Sequence, residues 1–327
     1  MAKFLLRRFV NYLILVMLAT SLGYIVAAVS LNPRANFEQR NPRPPKASVD
    51  AKLNGLNMNN ETPVLTRFER WAVPALHGDF GKTIDGQPVT SEMWRRIGVT
   101  TRLLLIGSVL GCALGVGLGV ISAVKQYSFT DYFGTVSSFV LLSIPVFLLA
   151  VLLKVGALQV NNNTGHTLLY YTGEKTPGLT GGLWTHVTDR FEHFVLPTLS
   201  LVLGQIAFYS RYQRSAMLDV LGSDFLRTAQ AKGLRRRTAM VKHGLRTALI
   251  PMATFFAYDF GLLFTGAVFT EKIFGWHGIG EWFIDAVTKN DINTVAFVTA
   301  FSAVLVLIAG MLADIAYAAL DPRVRIS

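Results

Sequence analysis

The chain has 327 residues, 51% of them hydrophobic and only 16% charged, and its mean hydropathy is positive. A soluble protein of this length carries about a quarter charged residues. Apolar runs of span length also recur, so composition excludes an ordinary soluble domain and indicates an all-α polytopic membrane protein. The net charge of +11 would suggest nucleic acid in a soluble domain. Here the basic residues cluster in short inter-span loops and at the chain ends, where they set membrane orientation, so lipid is the expected neighbour and nucleic acid is not. One cysteine, Cys112, allows no intrachain disulfide, and six scattered histidines give no ligand spacing for a metal.

A basic head (Lys3, Arg7, Arg8) precedes an apolar run over 9–31, long enough to cross ~30 Å of hydrocarbon. Ala28-Val29-Ser30 would pass as a cleavage site. The run is longer than a signal-peptide core and further spans follow, so it is expected to be a retained first span. Residues 32–99 form the largest non-membrane piece. Pro33, Pro42, Pro44, Pro45 and the Asn57-Met-Asn-Asn60 run predict irregular or mobile backbone over 32–61. Val64 to Leu76 reads as an interfacial helix broken at Pro74, with Trp71 at headgroup level. In His77-Gly-Asp-Phe-Gly81 a tight glycine-flanked turn is favoured over a catalytic pair.

The second span, 103–124, carries Gly111, Gly115 and Gly119 at every fourth residue, a flat face for close helix packing. The third, 133–155, holds Pro145 in its interior and should kink there. An outward loop, 159–192, leads to the fourth span, about 194–209, whose inner end is marked by Arg211 and Arg214. The fifth span is 249–270. An acidic outer loop, 271–291, precedes the sixth, 294–320. Six spans put both termini on one side, and the basic excess at the head, at 211–246 and at Arg323 and Arg325 assigns that side to the cytoplasm. The expected organisation is therefore a head and first span (1–31), an external segment (32–99) and a core of five spans (100–327).

Between spans four and five lies a cytoplasmic loop, about 219–247, that organises the chain. From Arg227 to Arg246 it holds seven Lys or Arg and no acid. Ser223 is a candidate N-cap, Asp224 suits the positive end of a helix dipole, and Gly233 is a stop. A second helical piece runs through Lys242, His243 and Arg246 to Pro251. Ala229, Ala231 and Gly233 form a small-residue stripe that permits close approach of a partner, and the flanking arginines suit an acidic rim.

Arg227-Thr-Ala-Gln-Ala-Lys-Gly-Leu234 followed by Arg246-Thr-Ala-Leu-Ile-Pro251 resembles the coupling-loop signature of ABC-importer permeases, in its oligopeptide/dipeptide variant. Arg227-Thr228-Ala229 stands where the general signature has Glu-Ala-Ala. Phe269-Thr-Glu-Lys-Ile-Phe-Gly275, Gly278-Ile-Gly280, Leu320-Asp-Pro-Arg-Val-Arg325 and the element at 77–81 extend the likeness from about Pro63 to the end. Residues 32–61 show no such pattern. The resemblance implies a six-helix type I permease of the plasma (inner) membrane, paired with a second similar permease, two ATPase subunits and an external peptide-binding protein. It also implies that Asp224, Phe225, Arg227, Thr228, Ala229, Ala231, Lys232 and Gly233 dock on the ATPase.

No Gly-x-x-x-x-Gly-Lys-Ser/Thr loop occurs. No cofactor is therefore expected in this chain, which is not itself an enzyme, and ATP with Mg²⁺ belongs to the partner subunits. Mechanistically the expectation is alternating access driven through the coupling helix. Asp259, beside Tyr258 near mid-span five, would cost ~2.5–3.5 kcal/mol facing lipid and so should face a cavity or a partner group. Together with Gln205 of span four it is a candidate for the substrate pathway. A stand-alone secondary transporter is the rival function. It would need ion-coupling groups near the midplane, where only Asp259 qualifies, and no internal repeat is found. Within the ABC class the cargo could be oligopeptide, dipeptide, glutathione or nickel.

Overall fold

The computed structural model describes the backbone of residues 2–38 and 41–320, and the side chains of 6–38, 41–253, 255–256, 267–312 and 314–315. In chain order the helices are α1 (Ala2–Ser30), α2 (Ala35–Glu38), α3 (Lys46–Gly55), α4 (Val64–Ala75), α5 (Val89–Val124), α6 (Phe129–Ser143), α7 (Val146–Thr164), α8 (Leu183–Leu221), α9 (Asp224–Ala231), α10 (Arg236–Ala239), α11 (Leu245–Ala248), α12 (Ile250–Phe274), α13 (Ile279–Thr288) and α14 (Ile292–Leu320). A π-helical turn, Met240–Gly244, joins α10 to α11. Among the described residues, five helices are long and apolar enough to cross a membrane, namely α1, α5, α7, α8 and α14. The expected fifth span falls on α12, a continuous helix of 25 residues.

The third span is not a kinked helix. Ile144 leaves the helical region for φ −95°, ψ 121°, and two separate helices, α6 and α7, stand on either side of it. The cause is steric: the ring of Pro145 crowds the residue before it out of the α region. Positions 107, 111, 115 and 119 of α5 meet 201, 205, 209 and 213 of α8 in the same chain direction. Parallel neighbours need an odd number of crossings between them, and α7 alone of the two helices between them is long and apolar enough for one.

The described residues form two compact units, one holding 102–275 and 309–320, the other 2–38, 41–101 and 276–308. In the first, α5 lies on α8 without side chains between the two at the glycines. A Cβ at position 115 would come within 2.7 Å of the Tyr209 Cβ, and one at 119 within 2.6 Å of the Ser210 carbonyl, whereas one at 117 would meet nothing within 4 Å. This is the small-residue face that the four-residue glycine repeat predicts. Lys154, near the end of the expected third span, donates from Nζ to the Ile273 carbonyl and so caps the last turn of α12.

In the second unit, the described residues of 32–61 (32–38 and 41–61) are folded, not irregular. Phe37, Val49, Leu53, Leu56 and Met58 share a core with Tyr24 of α1, Trp71 of α4 and Ile292 of α14. Of the prolines that suggest irregularity, Pro45 stands where a helix begins, as does Pro63 beyond them. Pro45 and Pro63 are the residues just before α3 and α4, where a missing N–H leaves no bond unmade. Pro74 lies in the last turn of α4, which ends at Ala75. The turn at 77–81 has Gly78 and Gly81 at φ 86° and 81°, and Asp79 Oδ1 accepts from the Gly81 N–H at 2.9 Å.

Candidate coupling surface

Helix α8 is 39 residues long, ~58 Å at 1.5 Å per residue, and so extends well past the span read over 194–209. Its last turns are fastened sideways to α6. The Arg214 guanidinium grips Asp131 with two bonds, Nε to Oδ1 at 2.6 Å and Nη2 to Oδ2 at 2.8 Å. Asp131 is almost fully buried and also accepts from the Tyr127 N–H at 3.0 Å. Ser128 starts α6, its hydroxyl accepting from the Asp131 N–H. Arg211 lies 4.2 Å over the ring of Phe139, and the hydroxyls of Ser138 and Ser210 are 3.0 Å apart. Sequence alone marks Arg211 and Arg214 only as the inner end of a span. It does not single out Asp131, whose partner lies 83 positions away.

Only Gly222 and Ser223 separate α8 from α9. Ser223 has the extended backbone of an N-cap (ψ 147°), but its hydroxyl makes no cap bond and donates instead to the Val220 carbonyl at 2.6 Å. The expected side-chain cap is therefore absent, and the serine ties the junction back to α8. One residue anchors α9: Leu226 is 2% exposed. It points toward Gly244 in the π-turn, where a Cβ would lie 3.2 Å from Val220 and 3.7 Å from Leu226. Ala123, Met217, Val220 and Ala248 form the small apolar cluster beside it.

Most of the rest of α9 faces outward. Asp224, Phe225, Arg227, Thr228, Ala231, Lys232 and Gly233 are exposed, and Ala229 is half-buried. Gly233, at φ 92°, takes the left-handed conformation that ends the helix. Arg235, Arg236 and Arg237 follow, also exposed. Arg227 pairs with Asp224 at 3.6 Å. Among the described residues no acid pairs with Lys232, Arg235, Arg236, Arg237, Lys242 or Arg246. The surface is a short amphipathic helix held by one leucine, with a small-residue edge and a field of unneutralised cations around it.

The pathway candidates divide. Gln205 is nearly buried against Gly111 of α5, and its Oε1 has no hydrogen-bond partner. Tyr258 and Asp259 are part of α12, but their side chains lie outside the described residues.

Residues 115–326 match the family model for the binding-protein-dependent transport system inner membrane component. Over its whole length, and that of the relative, the chain is 53% identical to the oligopeptide transport system permease protein OppB of Mycobacterium tuberculosis. It is 32% identical to AppB, the oligopeptide permease of Bacillus subtilis, over 99% of this chain and 100% of the relative. It is 31% identical to the glutathione transport system permease GsiC of Salmonella paratyphi A over 81% of each. With a family model spanning well over half its length and a full-length relative at this identity, the chain belongs to the binding-protein-dependent transport system inner membrane components, in the branch of ABC-importer permeases that the oligopeptide permeases occupy.

Proposed function

We propose that this chain is the permease subunit through which an ATP-driven importer moves oligopeptides or dipeptides across the plasma membrane. A second, similar permease, two ATPase subunits carrying ATP and Mg²⁺, and an external peptide-binding protein complete the complex. The chain contributes the pathway and transmits force; hydrolysis occurs on its partners. Both termini and the loop at 219–247 face the cytoplasm.

The observation that carries this reading is the exposed basic helix α9, joined to the 39-residue α8 by two residues. Such a helix is poised for a groove on an ATPase. Closure of the ATPases would push α9, and a long helix clamped to α6 through Arg214 and Asp131 would pass that push into the spans. Peptide as cargo is supported by the full-length relatives, both of them permeases of oligopeptide transport systems. Asp259, with Tyr258 beside it, lines the pathway in this reading, because a mid-span carboxylate is stable only toward a cavity or a partner.

The test is co-purification from membranes, with residues 227–233 intact or replaced by a neutral Gly/Ser linker. The intact chain should bring down a second permease and the ATPase, and the altered chain should lose the ATPase alone. A chain that purifies alone and moves solute in ATP-free liposomes would overturn the importer reading. Uptake of labelled dipeptide, oligopeptide and glutathione by the intact complex then ranks the cargoes. In the same assay Asp259→Asn should cut uptake at least tenfold with assembly unchanged, and unchanged uptake would remove Asp259 from the pathway.

A further inference from the structure

We propose that Arg237, Lys242 and Arg246 form a face that binds the phosphates of anionic phospholipids in the cytoplasmic leaflet, separate from the exposed surface of α9. This rests on the reading that places the loop at 219–247 in the cytoplasm.

Residues 236–248 run helically through α10, the π-helical turn and α11. Their inward side is Ala239, Gly244 and Ala248. Plain α-helical spacing would carry that side from Ala239 to Lys242 or His243 and on to Arg246. The extra residue of the π-helical turn shifts it to Gly244 and Ala248 and leaves the cations outside. Arg237, Val241, Lys242 and Arg246 are all exposed and share the opposite side, with exposed Arg235 and Arg236 at its start. No acid occurs from Phe225 to Ile250, and among the described residues none of these cations is ion-paired.

The face lies close to the inner ends of the spans. A Cβ at Gly244 would meet Val220 at 3.2 Å and Met217 at 3.9 Å, and Ala248 joins the same two residues in a cluster. The stretch therefore stands beside the last two turns of α8, just past Arg214. Arg246 precedes Ile250, the first residue of α12, by a single helical turn, about 6 Å of rise. That is within the Debye length of about 8 Å at physiological ionic strength. Cations clustered this close to the cytoplasmic end of a span attract anionic headgroups, and a guanidinium fork matches a phosphate. Val241 stands among them, 55% exposed. An apolar side chain there can enter the acyl boundary beside the phosphates, a place that the acidic rim of a protein groove does not offer.

The test takes the assembled complex from nanodiscs that hold phosphatidylglycerol and phosphatidylcholine in equal parts. After transfer to detergent, the lipids that stay with the protein are quantified by mass spectrometry. Phosphatidylglycerol should be retained in preference. A cation near an anionic surface is worth about fivefold in partition. Arg237→Gln, Lys242→Gln and Arg246→Gln combined, all at exposed positions, should therefore cut that preference at least fivefold with the ATPase still bound. Arg237→Lys with Arg246→Lys keeps the charge and should leave the preference within about twofold of wild type. An unchanged preference in the glutamine variant would overturn the proposal. So would loss of the ATPase in that variant, which would make the face part of the ATPase contact. Displacement of the lipid by excess glycerol 3-phosphate would also overturn it, by making the face a site for soluble phosphate esters. Co-purification and peptide uptake separate this face from the importer reading. A chain that holds no ATPase, yet loses its lipid preference in the glutamine variant, keeps the lipid face and sinks transport. A complex with ATPase and uptake but no such loss keeps transport and sinks the face.

Discussion

The α5–α8 seam and the segment that folds over 32–88 are held by opposite means. Along the seam both partners are long helices whose backbones are satisfied internally, so the contact requires only shape, and glycine provides it. The folded segment has short helices and turns whose backbone carbonyls need donors from elsewhere. Side chains supply them. The buried Arg67 guanidinium donates to the Thr62 carbonyl at 3.1 Å, the Ala28 carbonyl at 3.2 Å and Asn60 at 3.3 Å. Asn57 and Asn293 donate to other carbonyls in the same way, and Asp291 accepts from the Ile84 N–H. Regular backbone can be joined by the absence of side chains, while irregular backbone is joined by their polar ends.

The sharpest way to break this contrast is to put a side chain into the seam. Gly115→Leu and Gly119→Leu should separate α5 from α8, because even a Cβ is 2.7 Å or less from its neighbour there. Overpacking costs about 1–3 kcal/mol where neighbours can give. Here backbone atoms of α8 are among the nearest, so loss of monodisperse protein on size exclusion is expected. Gly117→Leu, facing open space, should behave as wild type. Equal behaviour of the three would mean that the repeat does not hold the seam.

One polar tie does belong to the first unit, and removing it tests whether the seam is sufficient. Arg214→Gln strands the buried Asp131 carboxylate, a change that costs about 3–5 kcal/mol when no other cation can reach it. The thermal midpoint in detergent should drop by several degrees, and Asp131→Asn added to Arg214→Gln should restore most of it. A double variant no better than the single would show that the cost lies elsewhere.

These two features differ in how far the sequence discloses them. A four-residue glycine repeat is a local pattern, as is the run from Asp224 to Gly233, so the seam, α9 and its stop can all be read directly. Asp131 cannot, because its partner is remote and an aspartate near a helix start has a sufficient local explanation. The same holds for residues 32–61. Their prolines and asparagines have the composition of a loose loop, and only contact with α1, α4 and α14 shows that the segment is packed, that Pro45 begins a helix and that Asn57 and Asn60 serve carbonyls. The break at Pro145 is half visible. Proline predicts a disturbance, but whether the helix bends or stops depends on whether Ile144 can stay helical, and the extended backbone there shows that it does not.

Within the folded segment, Arg67 is the largest single tie. Burial holds its guanidinium below the ordinary arginine range. Its hydrogen bonds run to neutral oxygens and not to a carboxylate. Arg67→Met keeps much of the volume and removes every donor, leaving the Thr62 and Ala28 carbonyls short of a partner. A loss of about 2–3 kcal/mol is expected. It should be visible as faster proteolysis within 32–61, while Gly115 variants leave that segment protected until the whole protein unfolds. Protection unchanged by Arg67→Met would show that apolar contacts, not donors, hold the segment.

Asp291 gives the smallest and most selective effect, one that depends on pH. It stands just before α14, where Oδ1 accepts from the Thr294 N–H at 3.1 Å and Oδ2 from the Ile84 N–H at 2.9 Å. Burial nonetheless dominates and raises its pKa above the ordinary 3.8, with Asp85 adding to the rise and the accepted bonds opposing it. A carboxyl whose folded pKa is raised holds its proton in the folded state after the unfolded chain has released it. In that window the folded state binds more protons, so stability falls as pH rises from 3.8 through the folded value and levels off above it. Protection of the segment against proteolysis should therefore decline from acid to neutral pH, by less than Arg67→Met removes. Asp291→Asn cannot ionise and keeps an acceptor for Ile84, so it should abolish that slope with little change at low pH. A slope that survives in Asp291→Asn would assign the pH dependence to another group and leave the aspartate as a helix cap alone.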